Sequence, residues 1–283
     1  MGVAWASHCG RNRRRSVRLW VAILLGFLWL PLVQAEPALI FGLLPSESVA
    51  TKFRRYAPLR DYLQQRLGQA VVLETARDFR EFRRRTLAGR YDFLETAPHF
   101  VPEAVASGHY TVITTIVRPL TAEIVVHAAS PYREPADLAG AVVATPAPSA
   151  IITRLGKETL IAAGLTGDRG PRYTVFPTHN AAYAAVVGKA AQAALISVNV
   201  LDKARRQDQP LRSIGHSRAI PNMSMLAARR LGPSRTQELQ RVLVKMRDDP
   251  TGRRILREMA YPGYRSARAK EFESLRQYLP PLP

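Results

Sequence analysis

Short apolar runs alternate with amphipathic stretches between residues 39 and 108. Residues 39–44 form an apolar run that ends at Pro45, and apolar side chains then recur at helical spacing up to Leu67, before Gly68. The pattern predicts strands at 39–44, 70–74 and 91–96 and helices at 52–67, 79–87 and 97–108, with Asp78 as an N-cap. This alternation with short connections predicts a parallel sheet covered by helices on both faces.

The pattern changes after residue 110, where two apolar runs follow each other with no helix between them. The further predicted strands are 111–117, 122–128, 141–144, 173–176, 192–198, 211–214 and 223–227, and the further helices are 148–163, 179–188, 234–248, 251–260 and 266–278. We therefore expect an α/β fold with two Rossmann-like lobes, residues 36–118 with 222–283 returning to them, and residues 122–215. The chain would cross twice, near 118–122 and 216–222, which predicts a hinge with a ligand cleft beside it.

The first 35 residues have the pattern of an export signal. Five arginines precede an apolar core of 14 residues at Leu19–Leu32, and Val33-Gln34-Ala35 matches a small-x-small cleavage site. The core is shorter than the roughly 20 residues that span a membrane, so cleavage after Ala35 is expected rather than retention as an anchor. Periplasmic localisation follows. Arg14-Arg15 leaves open whether the signal is of the Sec or the twin-arginine type.

Composition excludes several classes of function. Loss of the signal leaves 36 basic and 22 acidic residues, a net charge of +14, but the basic residues are dispersed and no basic–aromatic pattern indicates nucleic acid. The one cysteine, Cys9, lies before the apolar core, and no histidines are spaced i, i+4 as metal ligands. No Gly-x-Ser-x-Gly motif is present either. We expect no metal, no cofactor and no enzyme.

The stretch Val142–Gly164 combines a strand, a turn with two prolines and an amphipathic helix. The first N–H groups of such a helix lack partners within it and carry partial positive charge, so they stabilise an anion by roughly 0.3–2 kcal/mol. Pro148 suits the first helical turn, and Ser149 adds a hydroxyl donor. The turn is therefore a candidate anion site, although the same pattern is also typical of an ordinary strand–turn–helix unit.

At this point the chain resembles the phosphate/phosphite/phosphonate-type periplasmic solute-binding proteins of ABC transporters, which have a type II periplasmic-binding fold. The resemblance covers essentially all of the chain after the signal. Its markers, in order, are Phe41-Gly42-Leu43-Leu44-Pro45-Ser46-Glu47-Ser48, Ala88-Gly89-Arg90-Tyr91-Asp92-Phe93, Asp137-Leu138-Ala139-Gly140, His179 with Gly188-Lys189, and Ile220-Pro221.

The resemblance implies a set of ligand-binding positions. The family's hydroxyl triplet that grips the phosphorus oxyanion corresponds to Pro148, Ser149 and Ala150, so one hydroxyl is left and the backbone N–H groups of Ala150 and Ile151 would supply the rest. Aromatic cleft positions correspond to Phe79 and Thr96, the cleft histidine to His179, and positions that can be acidic to Asn199 and Met223.

Other interpretations of these residues stay open. His179 is equally a surface histidine, Phe79 a core residue and Asn199 a helix cap. His99 and Thr96 follow the third predicted strand, at the sheet edge where ligands bind in α/β folds. Glu95 beside them would either repel an anion or accept from a ligand donor. Loss of acidic side chains at positions 199 and 223 argues against a ligand amine.

The expected function is capture of a small phosphonate-, phosphite- or phosphate-like anion between two closing lobes, by a monomeric protein that presents it to an ABC transporter permease. The alternative is a periplasmic sensing subunit that feeds a membrane histidine kinase. Neither nucleic acid nor stable membrane insertion after signal cleavage is expected.

Overall fold

The computed structural model describes residues 1–4 and 36–280, and all elements below lie in a compact unit that begins at Ala38. The expected signal segment lies almost wholly outside the described residues, so its cleavage after Ala35 stays a prediction. None of the described helices is long and apolar enough to span a membrane.

Eleven strands of the described chain form two mixed sheets. The strands are β1 Leu39–Leu43, β2 Val71–Thr75, β3 Phe93–Thr96, β4 Tyr110–Ile116, β5 Ala122–His127, β6 Val142–Thr145, β7 Arg172–Val175, β8 Ala193–Ser197, β9 Leu211–His216, β10 Ser224–Ala228 and β11 Tyr264–Ser266. The six-stranded sheet has the order β11-β4-β10-β3-β1-β2 and the five-stranded sheet β7-β6-β8-β5-β9. We call the elements around the six-stranded sheet the first lobe and those around the five-stranded sheet the second lobe.

The helices cover these sheets. They are α1 Val49–Leu67, α2 Phe79–Leu87, α3 Val101–Ala106, α4 Ile151–Ala162, α5 His179–Val187, α6 Val198–Arg206, α7 Gly232–Val244 and α8 Pro250–Met259. A 3-10 turn, Pro98–Phe100, precedes α3, and a 3-10 segment, Ala269–Tyr278, ends the described chain. In each lobe the parallel strands, β2-β1-β3 and β7-β6-β8, are those joined through helices, as the sequence pattern predicts.

Each lobe also contains antiparallel strands that the chain reaches by crossing. It passes to the second lobe between β4 and β5 and returns between β9 and β10. The two crossing segments pair with each other, because Leu120 N donates to Ile220 O at 2.8 Å and Ile220 N to Leu120 O at 3.0 Å. A hydrogen-bonded pair of crossing segments is a suitable pivot for two lobes.

The C-terminal 3-10 segment makes a further contact between the lobes. Phe272 and Leu275 belong to the same buried apolar cluster as Ile151 and Leu155 of α4. Beside them, the Tyr278 hydroxyl donates to Glu158 Oε2 of α4 at 2.9 Å. This 3-10 segment therefore packs directly on α4, the helix whose start forms the candidate anion site.

Two element predictions were wrong at this level of detail. The expected helix 266–278 is instead a 3-10 segment that begins at Ala269, and Ser266 is the last residue of β11, a strand too short to show a period of two. Helix α4 begins at Ile151 with Ala150 as its N-cap, so Pro148 lies in the preceding turn and not in the first helical turn.

Candidate ligand-binding site

A cavity of about 110 Å³ lies between the two lobes. The first wall, from the first lobe, comes from the β1–α1 loop, the beginnings of α1 and α2, the segment after β3 and the chain after α8. The second wall, from the second lobe, comes from the N-terminal ends of α4, α5 and α6. The cavity therefore lies where helix N-termini converge, which favours a negatively charged occupant.

Lys52, in the first turn of α1, places a buried ammonium group in the first wall. The residue is 3% exposed, and its Nζ donates to the Ser46 hydroxyl at 2.8 Å. Within the described chain no carboxylate forms an ion pair with this Nζ. Burial lowers the pKa of Lys52 to about 8, and Arg55 acts in the same direction, whereas Glu47 and Glu95 oppose the shift. The ammonium also lies 5.2 Å from the centre of the Tyr56 ring, and two of its three N–H donors have no acceptor among the described residues, so a ligand can complete it.

Arg55, the neighbouring cation of the first wall, has protein partners, and Glu47 is paired through Oε1, whereas its buried Oε2 has no hydrogen-bond partner in the described chain. Arg55 Nη1 lies 2.6 Å from Glu47 Oε1, and Arg55 Nη2 donates to the Met259 carbonyl at 2.8 Å. Burial acts to raise the pKa of Glu47, but Lys52 and Arg55 together hold it below its ordinary value. Lys52 is therefore the cation of this wall that is left for a ligand, among the residues that the structure describes.

In the second wall, helix α4 begins without a side-chain cap. Its N-cap is Ala150, and the N–H groups of Ile151 and Ile152 donate to no described residue. The other two helices of this wall are capped, because the Thr178 hydroxyl accepts from Ala181 N at 3.1 Å and the Ser197 hydroxyl from Val200 N at 3.3 Å. The uncapped start of α4 thus lines the cavity from the second lobe, whereas Lys52 lines it from the first.

Comparison with known proteins identifies the class of molecule that has this cavity. The family model for the periplasmic substrate-binding protein of phosphonate ABC transporters matches residues 41–272. The chain belongs to this family. Its members are periplasmic proteins that bind transport substrates and are not enzymes. No curated protein sequence matches the chain.

Solved structures with the same fold include three from bacteria. A binding protein component of an ABC phosphonate transporter from Pseudomonas aeruginosa is 15% identical with a TM-score of 0.70, covering 86% of this chain and 85% of its own. PhnD1 from Prochlorococcus marinus in complex with methylphosphonate is 15% identical with a TM-score of 0.73, covering 85% and 96%. XAC2383 from Xanthomonas citri bound to ATP is 17% identical with a TM-score of 0.64, covering 85% and 97%. These similarities confirm the predicted type II periplasmic-binding fold.

Most residues predicted to bind ligand lie around the cavity of this binding protein. The six that line it are Phe79, His99, Ala150, Ile151, His179 and Asn199. Thr96 does not, because successive strand residues point to opposite faces and Glu95 of β3 is the one that faces the cavity. Ser149 precedes the N-cap of α4 and also lies outside the lining. The part that each residue plays in binding stays a prediction.

The two histidines of the cavity are neutral at pH 7. Burial lowers the pKa of His99 to about 3; Arg154 and Arg83 act in the same direction, and only the nearby Ser149 backbone opposes them. Within the described part of the chain, neither ring nitrogen of His99 makes a well-formed hydrogen bond. Burial likewise lowers the pKa of His179 to about 4, with Glu47 opposing the shift. The histidines therefore contribute dipoles to the site and no positive charge.

Asn199 is not the helix cap that its sequence position suggested. It is the second residue of α6, and Ser197 is the cap. Its Nδ2 donates to Asn222 Oδ1 at 3.0 Å, and Asn222 Nδ2 donates to the Arg118 carbonyl at 2.9 Å. Both asparagines are buried. Asn199 thus connects the second wall to both crossing segments.

The sequence pattern did not single out Lys52 and Arg55 of the first wall, whereas it named Glu95 and left its role open. Lys52 shares one helix face with the buried Tyr56, Leu59 and Leu63, so its place on an apolar stripe was an available signal. Tyr261, which also lines the cavity, comes from the far end of the chain and carried no such signal. No group of three potential metal ligands occurs among residues 1–4 and 36–280.

Proposed function

We propose that this binding protein captures a small oxyanion of the phosphonate, phosphite or phosphate type between its lobes and delivers it to an ABC transporter permease. The observation that carries the proposal is the pairing of Lys52 with the uncapped start of α4 across one cavity. Each of these features is incomplete without a ligand, and one anion would complete both.

The electrostatics of the two features support this ligand class. Free amides at a helix start stabilise an anion by roughly 0.3–2 kcal/mol. Truncating one partner of a buried, hydrogen-bonded charge pair costs about 2–5 kcal/mol, so Lys52 is the larger contribution. A cavity of about 110 Å³ suits a ligand with few heavy atoms. The relatives that hold methylphosphonate and ATP both bind a phosphorus oxyanion, which is consistent with the proposal.

Backbone amides are expected to replace the hydroxyls that the family uses at this turn. Only Ser149 keeps a hydroxyl there, and it lies outside the cavity lining. The amides of Ile151 and Ile152 are then the main contacts from the second wall. A site built from amides and one ammonium recognises charge and size, so we expect it to accept several small oxyanions.

Closure of the lobes would couple binding to recognition by the permease. We propose lobes of residues 36–118 with 222–283 and of residues 122–215, which pivot on the paired segments at Leu120 and Ile220. A ligand reaches both walls only when the lobes are closed, so it shifts the population towards the closed form. The monomeric state stays a prediction, and no observation favours the alternative role as a sensor subunit.

Calorimetry with a lysine variant tests the proposal. Wild-type protein is titrated with inorganic phosphate, phosphite, methylphosphonate and methanesulfonate at pH 7. Lys52→Met is expected to weaken the tightest of these by about thirtyfold or more, because it removes the charge that the anion completes. Lys157→Met is the control, since Lys157 of α4 lies over the Tyr173 ring and outside the cavity lining. Equal affinities for wild type and Lys52→Met, or no binding of any of the four anions, would refute the proposal.

A further inference from the structure

The first wall also holds a carboxylate, Glu95, in a cavity where an anion is expected. Glu95 is the third residue of β3, is 2% exposed and lines the cavity. A buried carboxylate next to an anion site repels the anion, unless the ligand also carries a group that can donate a hydrogen bond to the carboxylate. The surroundings of Glu95 indicate which case applies.

Three tyrosine hydroxyls hold the Glu95 carboxylate in place. Tyr56 and Tyr261 donate to Oε1, the latter at 3.1 Å, and Tyr264 donates to Oε2 at 3.3 Å. Burial raises the pKa of all three phenols, and the charge of Glu95 raises each further. The phenols therefore keep their protons, and Glu95 is the acceptor. The contact to Oε2 is the longer one, and among the residues that the structure describes Oε2 accepts from Tyr264 alone, so this oxygen retains capacity to accept a further hydrogen bond.

The positive and negative groups around Glu95 are equal in number, so no excess positive charge is left to balance a doubly charged ligand. The lining carries two positive groups, Lys52 and Arg55, and two negative ones, Glu47 and Glu95, while both histidines are neutral. Arg154 and Lys203, which lie outside the lining and act on His99 and Glu47 over a longer range, are partly exposed and screened by solvent. The free amides of α4 and Lys52 together can stabilise one negative charge on the ligand.

We propose that Glu95 selects a ligand that carries one negative charge and one hydroxyl, whose ionised oxygens contact Lys52 and the α4 amides while its O–H donates to the Glu95 carboxylate. This inference rests on the proposed function. A fully deprotonated oxyanion loses the donor and places its second charge against Glu95, so it binds less tightly. A sulfonate has the single charge but lacks the donor.

Titrations with methyl phosphate and with methanesulfonate, each at pH 5 and pH 7, separate the effect of the ligand's charge from the effect of its hydroxyl group. Methyl phosphate changes from monoanion to dianion over this range, since the second pKa of a phosphate monoester is about 6. Methanesulfonate is a monoanion at both values. The cavity histidines, with pKa values of about 3 and 4, and Lys52, with a pKa of about 8, keep their charge states between pH 5 and 7.

The expected result is that wild-type protein binds methyl phosphate about tenfold more tightly at pH 5 than at pH 7, because about one-tenth of the ligand is monoanionic at pH 7. Methanesulfonate should bind more weakly than methyl phosphate at pH 5 and equally at both pH values. Glu95→Gln should abolish the preference for pH 5, since the amide donates to the dianion. Glu258→Gln, at an exposed position of α8, is the matched control and should keep it.

The outcomes distinguish this inference from the proposed function. Methyl phosphate that binds equally or more tightly at pH 7 in wild type would overturn the selection of a monoanion, as would a preference for pH 5 that survives in Glu95→Gln. Methanesulfonate as tight as methyl phosphate at pH 5 would overturn the role of the hydroxyl. If neither anion binds at pH 5 or at pH 7, the result would instead contradict the proposed function. The wild-type titrations decide the question even if Glu95→Gln does not fold.

Discussion

The two walls of the cavity are built on different principles. The first wall has four charged side chains, each with a partner in the same lobe. Arg55 pairs with Glu47, the buried Lys52 donates to the Ser46 hydroxyl, and the buried Glu95 accepts from tyrosines. The second wall has helix starts and an uncharged histidine, and at the uncapped start of α4 the amides of Ile151 and Ile152 have no acceptor in the described part of the chain.

This difference shows how two moving lobes can make different contributions to ligand binding. Side-chain charges need a network to fix them, and the first wall has one that does not depend on the other lobe. Backbone amides need only the helix, so the second wall brings donors to the ligand without bringing a second set of charges. The first wall is thus expected to select the ligand's charge, and the second wall to complete the binding on closure.

A carboxylate at the start of α4 should have the largest effect on oxyanion affinity. In Ala150→Asp the new side chain would cap the amides of its own helix and repel an anion, so affinity for the tightest oxyanion should fall a hundredfold or more. The free energy of unfolding of the same variant should be about 1 kcal/mol higher than that of the wild type, because α4 gains an N-cap. Calorimetry and urea denaturation measure the two effects.

Ala150→Ser is the matched control for the charge. Its hydroxyl can also cap α4 and stabilise the protein, but it brings no negative charge, so its affinity should stay well above that of Ala150→Asp. If both variants bind as wild type does, the α4 amides are not a ligand contact, and the comparison of the two walls fails.

The second prediction concerns Asn199, which lines the second wall but bonds to the crossing segment. Asn199→Ala removes one hydrogen bond from the buried Asn222 amide, which keeps its contacts to Met223 N and the Arg118 carbonyl, so the free energy of unfolding should fall by about 0.5–1.5 kcal/mol. Asn180→Ala, in the same wall, is the control and should leave stability nearly unchanged. If Asn199→Ala loses affinity for the oxyanion but no stability, Asn199 is a ligand contact and not a support of the crossing segments.

The third prediction is a dependence of stability on pH that comes from the first wall. The pKa of His99 is about 3 in the folded protein and near 6.5 when unfolded, so the unfolded state binds more protons between these values. His99 should therefore lower the free energy of unfolding by at most about 1.4 kcal/mol for each pH unit below 6.5. Above pH 6.5 this contribution to the slope should disappear.

Replacement of the histidine isolates its contribution from that of the carboxylates. Urea denaturation at pH 4.5, 5.5 and 6.5 should give a shallower fall for His99→Leu than for wild type. His109→Leu, at an exposed position, should retain the wild-type slope. Parallel curves for wild type and His99→Leu would show that His99 is protonated as easily in the folded protein as in the unfolded chain.

Much of the fold was predictable because its signals are local. Gly68 ends α1 in the left-handed conformation with φ of 65°, and the Asp78 side chain caps α2 by accepting from Glu81 N, both as expected. The start of α4 was predicted too early because Pro148 is equally compatible with a turn and a first helical turn.

The site was less predictable because it depends on contacts between distant segments. Glu95 is held by tyrosines that lie 39, 166 and 169 residues away along the chain. Local sequence left open whether this carboxylate repels or accepts, and only its partners indicate an answer. Lys52 was overlooked because charged residues are normally assigned to the exposed face of a helix, whereas its helical position is buried.

A crystal structure with a bound phosphorus oxyanion, obtained with methylphosphonate or phosphate, tests the central claim most directly. We expect ligand oxygens about 2.7–3.2 Å from the amide nitrogens of Ile151 and Ile152 and from Lys52 Nζ, with both walls in contact with one anion. An anion bound outside this cavity, or one that contacts the first wall while the α4 amides stay free, would contradict it.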